Sequence, residues 1–530
     1  MNISKTIAFL IGTLACFTSC GDFLEENSQN LIYITKWQDL DELLIGGCYV
    51  PAKSTSTFYN FSNKGMFLHL PGDELEENNH TLGSASQFDD HYYTFGYFTW
   101  QPRVGTKETF TDFYTENGCW TEFYKYINVA NNVIESAKDL PENTDAEIEG
   151  KKKVTGEAHF IRGFLYWWLT NTYGQPYSPA TADKDLGVPL KTTQEVIDQK
   201  FQRSTVAECY KLILSDLNEA DRLLSQLTKP KKSIYRADKT AVHLLLSRVY
   251  LFMQDWKNAE KYARMTIEEH PDLEDLNTST EKFMVASNPE NIFSMGGDDI
   301  CTIINSACQA YRISQGQYDM YGSNDRRKAA WFWNRGIFNG LVKHTENPSY
   351  SSVASTADLY YYYHYAIHTG YKSPVSSLFW LRSSEAYLNL AEALCYQNND
   401  GEALKTLNEF RKTRLYNGAQ ELSKSYTHEE LVREIRDENR REFVLEGHRW
   451  FDLRRYRVCS VMPEEISLTH TYTYYKERGS RDILYTHQYE LKEDDPSWTL
   501  PIPAEVLQFN TGMESNNNPA RDFTVVETPI

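Results

Sequence analysis

The chain has 530 residues, of which 41% are hydrophobic and 24% charged, and its formal net charge is −19. This composition is typical of a folded protein, and the length allows a large buried core with more than one packed unit. The acidic balance argues against a nucleic-acid partner, which would require a basic surface.

The first residues have the pattern of an export signal. Lys5 precedes an apolar run, 7–17, that is too short to span a bilayer comfortably. The run leads into the sequence FTSC, which ends at Cys20 and resembles a bacterial lipobox. Cleavage would leave Cys20 as a lipid-carrying N-terminus and make residues 1–19 the signal peptide. Cys16 is a rival lipidation site, and a plain signal peptide with an incidental cysteine is the alternative.

Helical periodicity predicts a mostly α-helical body. Apolar residues recur at intervals of three and four, which is typical of amphipathic helices. Pro141 ends the predicted helix 120–140, and Thr205 or Ser204 is a suitable N-cap for the predicted helix 206–227. The predicted helices cover residues 36–45, 120–140, 156–177 and 206–227.

Two later segments resemble tetratricopeptide hairpins, in which small Ala residues opposite bulky side chains let two helices approach closely. The first segment, 237–270, turns near Asp255, and the second, 383–414, turns at Asn399-Asp400-Gly401. The two hairpins are scattered rather than in strict tandem. The sequence therefore predicts a helical scaffold, and such repeats by themselves specify no ligand.

A long insertion, about residues 276–374, separates the two hairpins and is predicted to be non-helical. It is rich in glycine and aromatic residues, and a shorter aromatic segment lies at 92–100. Long loops without regular structure are uncommon in compact domains and are usually functional. The aromatic content of the whole chain, 14%, is therefore interpreted as belonging partly to a binding site.

Aromatic rings and carboxylates in these two regions suit a sugar ligand. A flat ring covers the C–H face of a sugar, while carboxylates, amides and Arg bind its hydroxyl groups. Core packing is the alternative for each ring taken singly. At least one of Trp331 and Trp333 is predicted to be exposed. The candidate glycan-binding residues are Asp73, Tyr97, Trp100, Tyr318, Tyr321, Trp331 and Trp333.

In the stretch 438–456, ENRREFVLEGHRWFDLRRY, charged residues are interspersed with apolar residues. Glu438, Glu442 and Glu446 fall at every fourth position of one helix, which Gly447 would end. Five arginines surround them, namely Arg440, Arg441, Arg449, Arg454 and Arg455. We interpret the cluster as a structural ion-pair network that locks two helices together, with a pair of catalytic carboxylates as the alternative.

The same stretch resembles the C-terminal signature of the SusD/RagB family of bacterial outer-membrane nutrient-binding lipoproteins. The match covers Glu438, Glu442, Glu446-Gly447 and 449–454, whereas Asn439 stands where the family usually has Arg. Helix 120–140, the Tyr173-Gly174 loop and the Pro-Ile-Pro segment at 501–503 resemble the family in the same order along the chain.

The resemblance implies a mostly α, SusD-like fold with tetratricopeptide-like hairpins, long irregular loops and a few short strands. It divides the chain into the signal peptide, an N-terminal region, 20–230, and a C-terminal region, 231–530. It also implies a non-enzymatic, cell-surface lipoprotein of the outer membrane, anchored through lipid on Cys20. Such a protein captures an oligo- or polysaccharide and delivers it to a SusC-like TonB-dependent transporter.

Two other classes of function remain open. A glycoside hydrolase would use paired carboxylates, such as Asp73 with Glu76 or Asp298 with Asp299. A pure helical scaffold would bind peptide or protein instead.

No cofactor or metal is predicted. His364 and His368 have a metal-ligand spacing, but the metalloprotease Glu is missing after the first. No cysteine pair has the CxxC spacing of a zinc site. Among the seven cysteines after Cys20, Cys301 and Cys308 are the one near pair, and they could form a disulfide.

Overall fold

A computed structural model describes most of the chain between residues 34 and 526. The described ranges are 34–49, 65–77, 85–106, 116–195, 198–231, 233–279, 283–296, 311–334, 339–343, 374–419, 421–422, 425–477 and 482–526. Several sequence predictions lie outside the described residues, namely those on Cys16, Cys20, Asp298, Asp299, Cys301, Cys308, His364 and His368.

Helices dominate the described residues, as predicted. They are α1 Trp37–Gly47, α2 Ala85–Phe98, α3 Glu116–Ser136, α4 Asp145–Tyr173, α5 Val206–Leu224, α6 Lys239–Phe252, α7 Trp256–Glu269, α8 Gln315–Asp319, α9 Arg326–Trp331, α10 Ser383–Tyr396, α11 Asp400–Arg411, α12 His428–Glu442, α13 Arg449–Arg457 and α14 Ala504–Phe509. None of these described helices is both long enough and apolar enough to cross a bilayer.

The long helices form one continuous array in which each packs on the next. The order is α3, α4, α5, α6, α7, α10 and then α11 with α12, while α1 lies across α3 and α4. The two predicted hairpins, α6–α7 and α10–α11, are therefore neighbours in space. Ala263 of α7 and Ala391 of α10 are fully buried in one apolar cluster. The insertion separates the two hairpins in sequence but does not separate them in space.

Local sequence signals set several helix starts. The Thr205 hydroxyl accepts a hydrogen bond from the Glu208 amide, and the Glu208 carboxylate accepts one from the Thr205 amide. This reciprocal pair satisfies two amide groups that a helix start would otherwise leave unpaired. Thr427 and Glu430 cap α12 in the same way. The predicted N-cap at Thr205 is confirmed.

Within the described ranges, the strands form four small antiparallel sheets. They are β1 Leu75–Glu77, β2 Asn291–Ser294, β3 Tyr311–Ile313, β4 Phe332–Asn334, β5 Asn339–Leu341, β6 Trp380–Arg382, β7 Leu468–Tyr475, β8 Ile483–Leu491 and β9 Phe523–Val526. β1 pairs with β3, β2 with β6 and β4 with β5, and the C-terminal sheet has the order β7-β8-β9. The β1–β3 and β2–β6 sheets therefore tie the insertion to the rest of the chain, and the β4–β5 sheet lies within the insertion.

The prediction of a non-helical insertion is wrong for two short segments, α8 and α9. The Ser314 hydroxyl caps α8 by accepting from the Gln317 amide, and the Asp325 carboxylate caps α9 by accepting from the Arg327 amide. Helices of five and six residues are too short for hydrophobic periodicity to reveal them. The aromatic segment 92–100 likewise forms the end of α2 and the turn after it.

The predicted ion-pair network is confirmed, and its centre is Glu442. Its carboxylate accepts hydrogen bonds from Arg327 at 2.9 Å, Arg382 at 2.6 Å and Arg414 at 2.9 Å. Burial alone would raise the pKa of Glu442, yet the charges of Arg414 and Arg382 hold that pKa well below its ordinary value. The carboxylate is therefore ionised and fully paired inside the core.

Three further acids extend this network. Glu290, which precedes β2, binds Arg382 at 2.9 Å and Arg414 at 2.5 Å. Glu438 binds Arg327 at 2.6 Å, and Glu446 binds Arg382 at 3.0 Å. The arginines come from α9, β6 and the turn after α11. The network consequently fastens α12 to the insertion and to the last hairpin.

The arginines adjacent in sequence mostly bind elsewhere, which corrects the expected local pairing. Arg441 does bind Glu438, at 2.7 Å. Arg454, by contrast, donates to the backbone carbonyl groups of Asn171 and Gly174, and Arg455 binds Glu392 at 2.6 Å. The stretch therefore anchors several helices and not only its own two.

α12 ends at Glu442, so the prediction that one helix carries Glu446 and is ended by Gly447 is wrong. Gly447 lies five positions beyond Glu442, in the turn before α13. Its φ is +75°, and a Cβ there would lie 2.5 Å from the Leu378 side chain. The left-handed backbone favours glycine, and a larger residue would also have to displace the Leu378 side chain.

Glu442→Gln tests the structural role of the network. The amide cannot carry the negative charge, so three buried arginines lose a partner, and we expect the free energy of unfolding to fall by about 3–5 kcal/mol. Chemical denaturation measures this change. Glu429→Gln, on the exposed face of the same helix, is the matched control and is expected to change it by less than about 0.5 kcal/mol. An unfolding free energy equal to that of the wild type in Glu442→Gln would contradict a structural role.

Candidate functional site

The pairing of β1 with β3 brings the two predicted glycan-binding regions together. Glu76 pairs with Arg312 across this ladder, although the two lie 236 positions apart in sequence. Ser314, directly after β3, donates from its hydroxyl to the Asp73 carbonyl at 2.7 Å. The regions around Asp73 and Tyr318 are therefore adjacent, as a shared site would require.

A groove of about 440 Å³ lies between this ladder and β7. Its volume falls within the range of small-molecule sites in proteins. Leu75, Phe98 and Leu468 supply its apolar lining. The polar lining comes from three strands and the turns beside them, namely Asp73, Glu76, Glu77, Arg312, Ser314, Thr469, His470 and Thr471.

Asp73 at one end of the groove is held by two arginines of the C-terminal stretch. Arg449 donates to both carboxylate oxygens at 2.7 and 2.8 Å, and Arg440 approaches to 3.2 Å. Burial would raise the pKa of Asp73, but Arg449 and then Arg440 outweigh that effect and lower it below the ordinary value. Asp73 is thus a fixed anion whose side chain retains 25% exposure.

Glu76 and Arg312 form the more accessible ion pair of the groove. The Arg312 Nε donates to the Glu76 carboxylate at 2.7 Å, and the two side chains are 20% and 33% exposed, respectively. Charged groups at such exposure keep hydrogen-bonding capacity toward a ligand. This pair offers both a donor and an acceptor to a hydroxyl-rich molecule.

Buried hydrogen bonds fix the strands that line the groove. Glu77 accepts from the Thr473 amide and hydroxyl, both at 2.7 Å, and lies 2.6 Å from the His91 ring. His470 lies 2.7 Å from the Phe98 carbonyl and 2.8 Å from the Gly72 carbonyl. Burial lowers the pKa of His470 to about 4, so the neutral ring has one N–H and donates to one of these two carbonyls. The groove is therefore preformed by α2, β1 and β7.

Tyr97 and Trp100, predicted as ligand-binding rings, are core residues, each 2% exposed. Tyr97 stacks on Phe67 at 4.6 Å between ring centres. Trp100 stacks on His470 at 4.3 Å and donates from Nε1 to the Pro71 carbonyl at 3.0 Å. Their burial does not match the expectation of an exposed aromatic platform, because their rings pack the wall behind the groove.

Tyr321 and Trp331 are also core residues, at 0% and 1% exposure. The Tyr321 hydroxyl donates to the Arg441 carbonyl at 2.6 Å, and the Lys343 ammonium lies 3.9 Å from the centre of the Trp331 ring. Both rings dock the insertion on α12 and its network. The side chain of Trp333 lies outside the described residues, so the prediction that one of the Trp331 and Trp333 pair is exposed stays open for Trp333.

Among the predicted site residues whose side chains the structure describes, Tyr318 and Asp73 keep partial exposure. Tyr318 is half-buried, and the Lys328 ammonium lies 4.6 Å from its ring centre. Glycan contact through these two residues stays a prediction.

Sequence reasoning missed the residues that the strands bring to the groove. Arg312 and Ser314 lie in β3 and directly after it, and Thr469 and Thr471 lie in β7. The available signal was the alternation of Thr at every second position of 469–473, which indicates one face of a strand. Nothing in that alternation reveals that β7 lies beside β1.

A second surface with aromatic character lies on β8 and β9. Phe523 is 51% exposed and stacks on His487 at 3.7 Å between ring centres, and Tyr485 is 39% exposed and stacks on the same ring at 4.7 Å. This stack shares no residue with the groove.

Two family models match consecutive parts of the chain. The model described as "Starch-binding associating with outer membrane" matches residues 71–251, and the model of the SusD family matches residues 250–519. The second match alone covers more than half of the chain, and together they include every residue that lines the groove.

Individual proteins agree with these models. A SusD-like protein of Bacteroides ovatus is 24% identical over 64% of this chain, which spans 65% of the length of that relative. Among solved structures, a SusD-like carbohydrate binding protein of Bacteroides vulgatus superposes with a TM-score of 0.64 at 18% identity, covering 91% of this chain and 98% of its own. A SusD superfamily protein of the same species gives 0.65 at 20% identity, covering 92% and 100%. These likenesses establish the fold.

Tyr321→Phe tests whether Tyr321 is a structural residue. Loss of the hydroxyl leaves the buried Arg441 carbonyl without its donor, and we expect the free energy of unfolding to fall by about 1–3 kcal/mol. Urea denaturation measures this, with Tyr318→Phe as the control that is expected to change it by less than about 0.5 kcal/mol. The reverse order of the two effects would contradict the packing role of Tyr321.

Proposed function

Because the chain belongs to the SusD family, we propose that it binds a glycan in the groove between the β1–β3 ladder and β7. The observation that carries this proposal is the pairing of β1 with β3. It joins two regions that are distant in sequence into one preformed groove with a mainly polar lining.

The lining suits the hydroxyl groups of a sugar. The Glu76 carboxylate accepts hydrogen bonds, the Arg312 guanidinium donates them, and the Ser314, Thr469 and Thr471 hydroxyls do both. Since Glu76 and Arg312 already bind each other, their positions are set before the ligand arrives. Preorganised polar groups lose less conformational entropy on binding.

The contacts of Asp73 and Glu76 do not suit this carboxylate pair for hydrolysis. A glycoside hydrolase needs one carboxyl group that stays protonated to donate to the leaving oxygen. Asp73 has the opposite property, since Arg449 and Arg440 lower its pKa and occupy its oxygens. The Glu76 carboxylate is paired with Arg312. These contacts support a site that captures its ligand without bond chemistry.

The wider role follows from the family and from the N-terminal sequence. We propose a lipoprotein that is anchored through Cys20 at the outer face of the outer membrane and passes the glycan to a SusC-like TonB-dependent transporter. The support is the family description, which associates these proteins with the outer membrane, and the FTSC sequence ending at Cys20. One matched neighbour is called a carbohydrate binding protein.

Arg312→Ala tests the groove. A hydrogen bond to a charged group contributes about 1.5–3 kcal/mol, so we expect affinity for the cognate glycan to fall about 10–100-fold. Affinity electrophoresis against a polysaccharide panel identifies the ligand, and titration calorimetry then measures the change. Arg222→Ala is the matched control, because Arg222 forms an exposed pair with Glu219 on α5.

The outcomes separate the location of the site from the function itself. Retention of full affinity in Arg312→Ala together with its loss in Phe523→Ala would move the site to the β8–β9 surface. Absence of retardation by every polysaccharide would refute glycan binding. Reducing-end release by the wild type that vanishes in Glu76→Gln would favour the hydrolase.

Cys20→Ala tests the lipid anchor. Without the acyl-accepting thiol, the exported protein is expected to move from the membrane fraction to the soluble fraction after cell breakage. Immunoblotting of the two fractions measures this change. Cys16→Ala is the matched control and is expected to stay in the membrane. Membrane retention of Cys20→Ala would contradict this site of attachment.

A further inference from the structure

Three side chains with metal-binding atoms meet where α10, α11 and α12 join. Cys395 lies near the end of α10, whereas Asp400 and His428 are the first residues of α11 and α12. The Cys395 Sγ lies 3.5 Å from the Asp400 Oδ1 and 3.9 Å from the His428 Nδ1. The Asp400 Oδ1 and the His428 Nδ1 are 2.9 Å apart. One atom of each side chain therefore forms a small triangle.

We propose that Cys395, Asp400 and His428 bind a zinc ion at this junction. Bond lengths for zinc to sulfur, nitrogen and oxygen place tetrahedral ligand atoms about 3.3–3.6 Å apart. The three observed separations, 3.5, 3.9 and 2.9 Å, scatter around that range.

The ligand chemistry matches zinc better than calcium or magnesium. A thiolate, an imidazole and a carboxylate are all zinc ligands, whereas calcium and magnesium take oxygen ligands almost exclusively. Binding replaces the thiol proton: the S–H bond breaks, an S–Zn bond forms and one proton is released to solvent. The thiolate and the carboxylate together neutralise the charge of the dication. A neutral site is compatible with the starts of α11 and α12, because helix N-termini disfavour a net positive charge.

The burial pattern also fits a site that an ion can enter from solution. Cys395 is fully buried, while the side chains of His428 and Asp400 are 30% and 39% exposed. The Cys395 thiol donates to the Asp400 Oδ1, which also lies 2.9 Å from the His428 Nδ1, so all three ligand atoms converge on one point. The open side leaves the fourth coordination position to water.

The ion would act as a clamp on the array. It would join α10 and α11 of the last hairpin to α12, which carries Glu438 and Glu442 of the buried network. The ligands share no residue with the groove, so this site is independent of the glycan proposal. Because the ligands come from three helices, no local spacing in the sequence predicts them.

Metal titration of the purified full-length protein tests the proposal. After reduction and removal of bound metal by a chelator, competition with a chromophoric chelator is expected to reveal one tight zinc site per chain. Cobalt(II) in place of zinc is expected to give the near-ultraviolet charge-transfer band of a cobalt–thiolate bond. Zinc is also expected to raise the thermal unfolding temperature, whereas calcium and magnesium leave it unchanged.

Two serine variants identify the ligand. In Cys395→Ser the charge-transfer band is expected to disappear and zinc affinity to fall by more than the roughly 10–100-fold that loss of an outer-shell contact costs. Cys459→Ser is the matched control, because Cys459 is buried in the same apolar cluster as Cys395. This variant is expected to keep both the charge-transfer band and the zinc affinity. Wild-type protein without a cobalt–thiolate band, or an unchanged band in Cys395→Ser, would overturn the proposal.

Discussion

The rest of the structure depends on the burial of Glu442 among Arg327, Arg382 and Arg414. Isolated charges at this depth would be very costly, so each side chain requires the others to be in place. The partners belong to α9, β6 and the turn after α11, which are separated by long stretches of sequence. The network therefore acts as a geometric constraint, because the insertion has to dock in one way for all charges to be paired.

The same stretch of chain links this constraint to the groove. Arg440 and Arg449, on either side of Gly447, hold Asp73, and the Leu445 amide donates to the Glu74 carboxyl group at 2.9 Å. Glu74 is buried, and that burial raises its pKa to about 8. β1 is thereby fastened directly to the segment that carries the network. The walls of the groove are rigid because they are continuous with the core.

Sequence patterns predicted the helical body well and the site only in part. Amphipathic periodicity and capping residues are local, so helices such as α5 and both hairpins could be recognised from their own residues. The aromatic residues were harder to interpret, since the same ring type either packs a core or stacks on a sugar. Tyr97, Trp100, Tyr321 and Trp331 pack the core. Arg312 could not be predicted as a site residue from the sequence, because its partner Glu76 lies 236 positions away.

By itself, the sequence determined the mostly helical class, the hairpins, the acidic and arginine-rich stretch and the family resemblance, all of which rest on residues close together along the chain. Only the tertiary structure decided which arginines neutralise Glu442, which aromatic rings are buried and where β1, β3 and β7 meet. It also brought Cys395, Asp400 and His428 together from three helices. The physical reason is that periodicity reports which face of an element is apolar, whereas charge pairing and cavities depend on distances between elements.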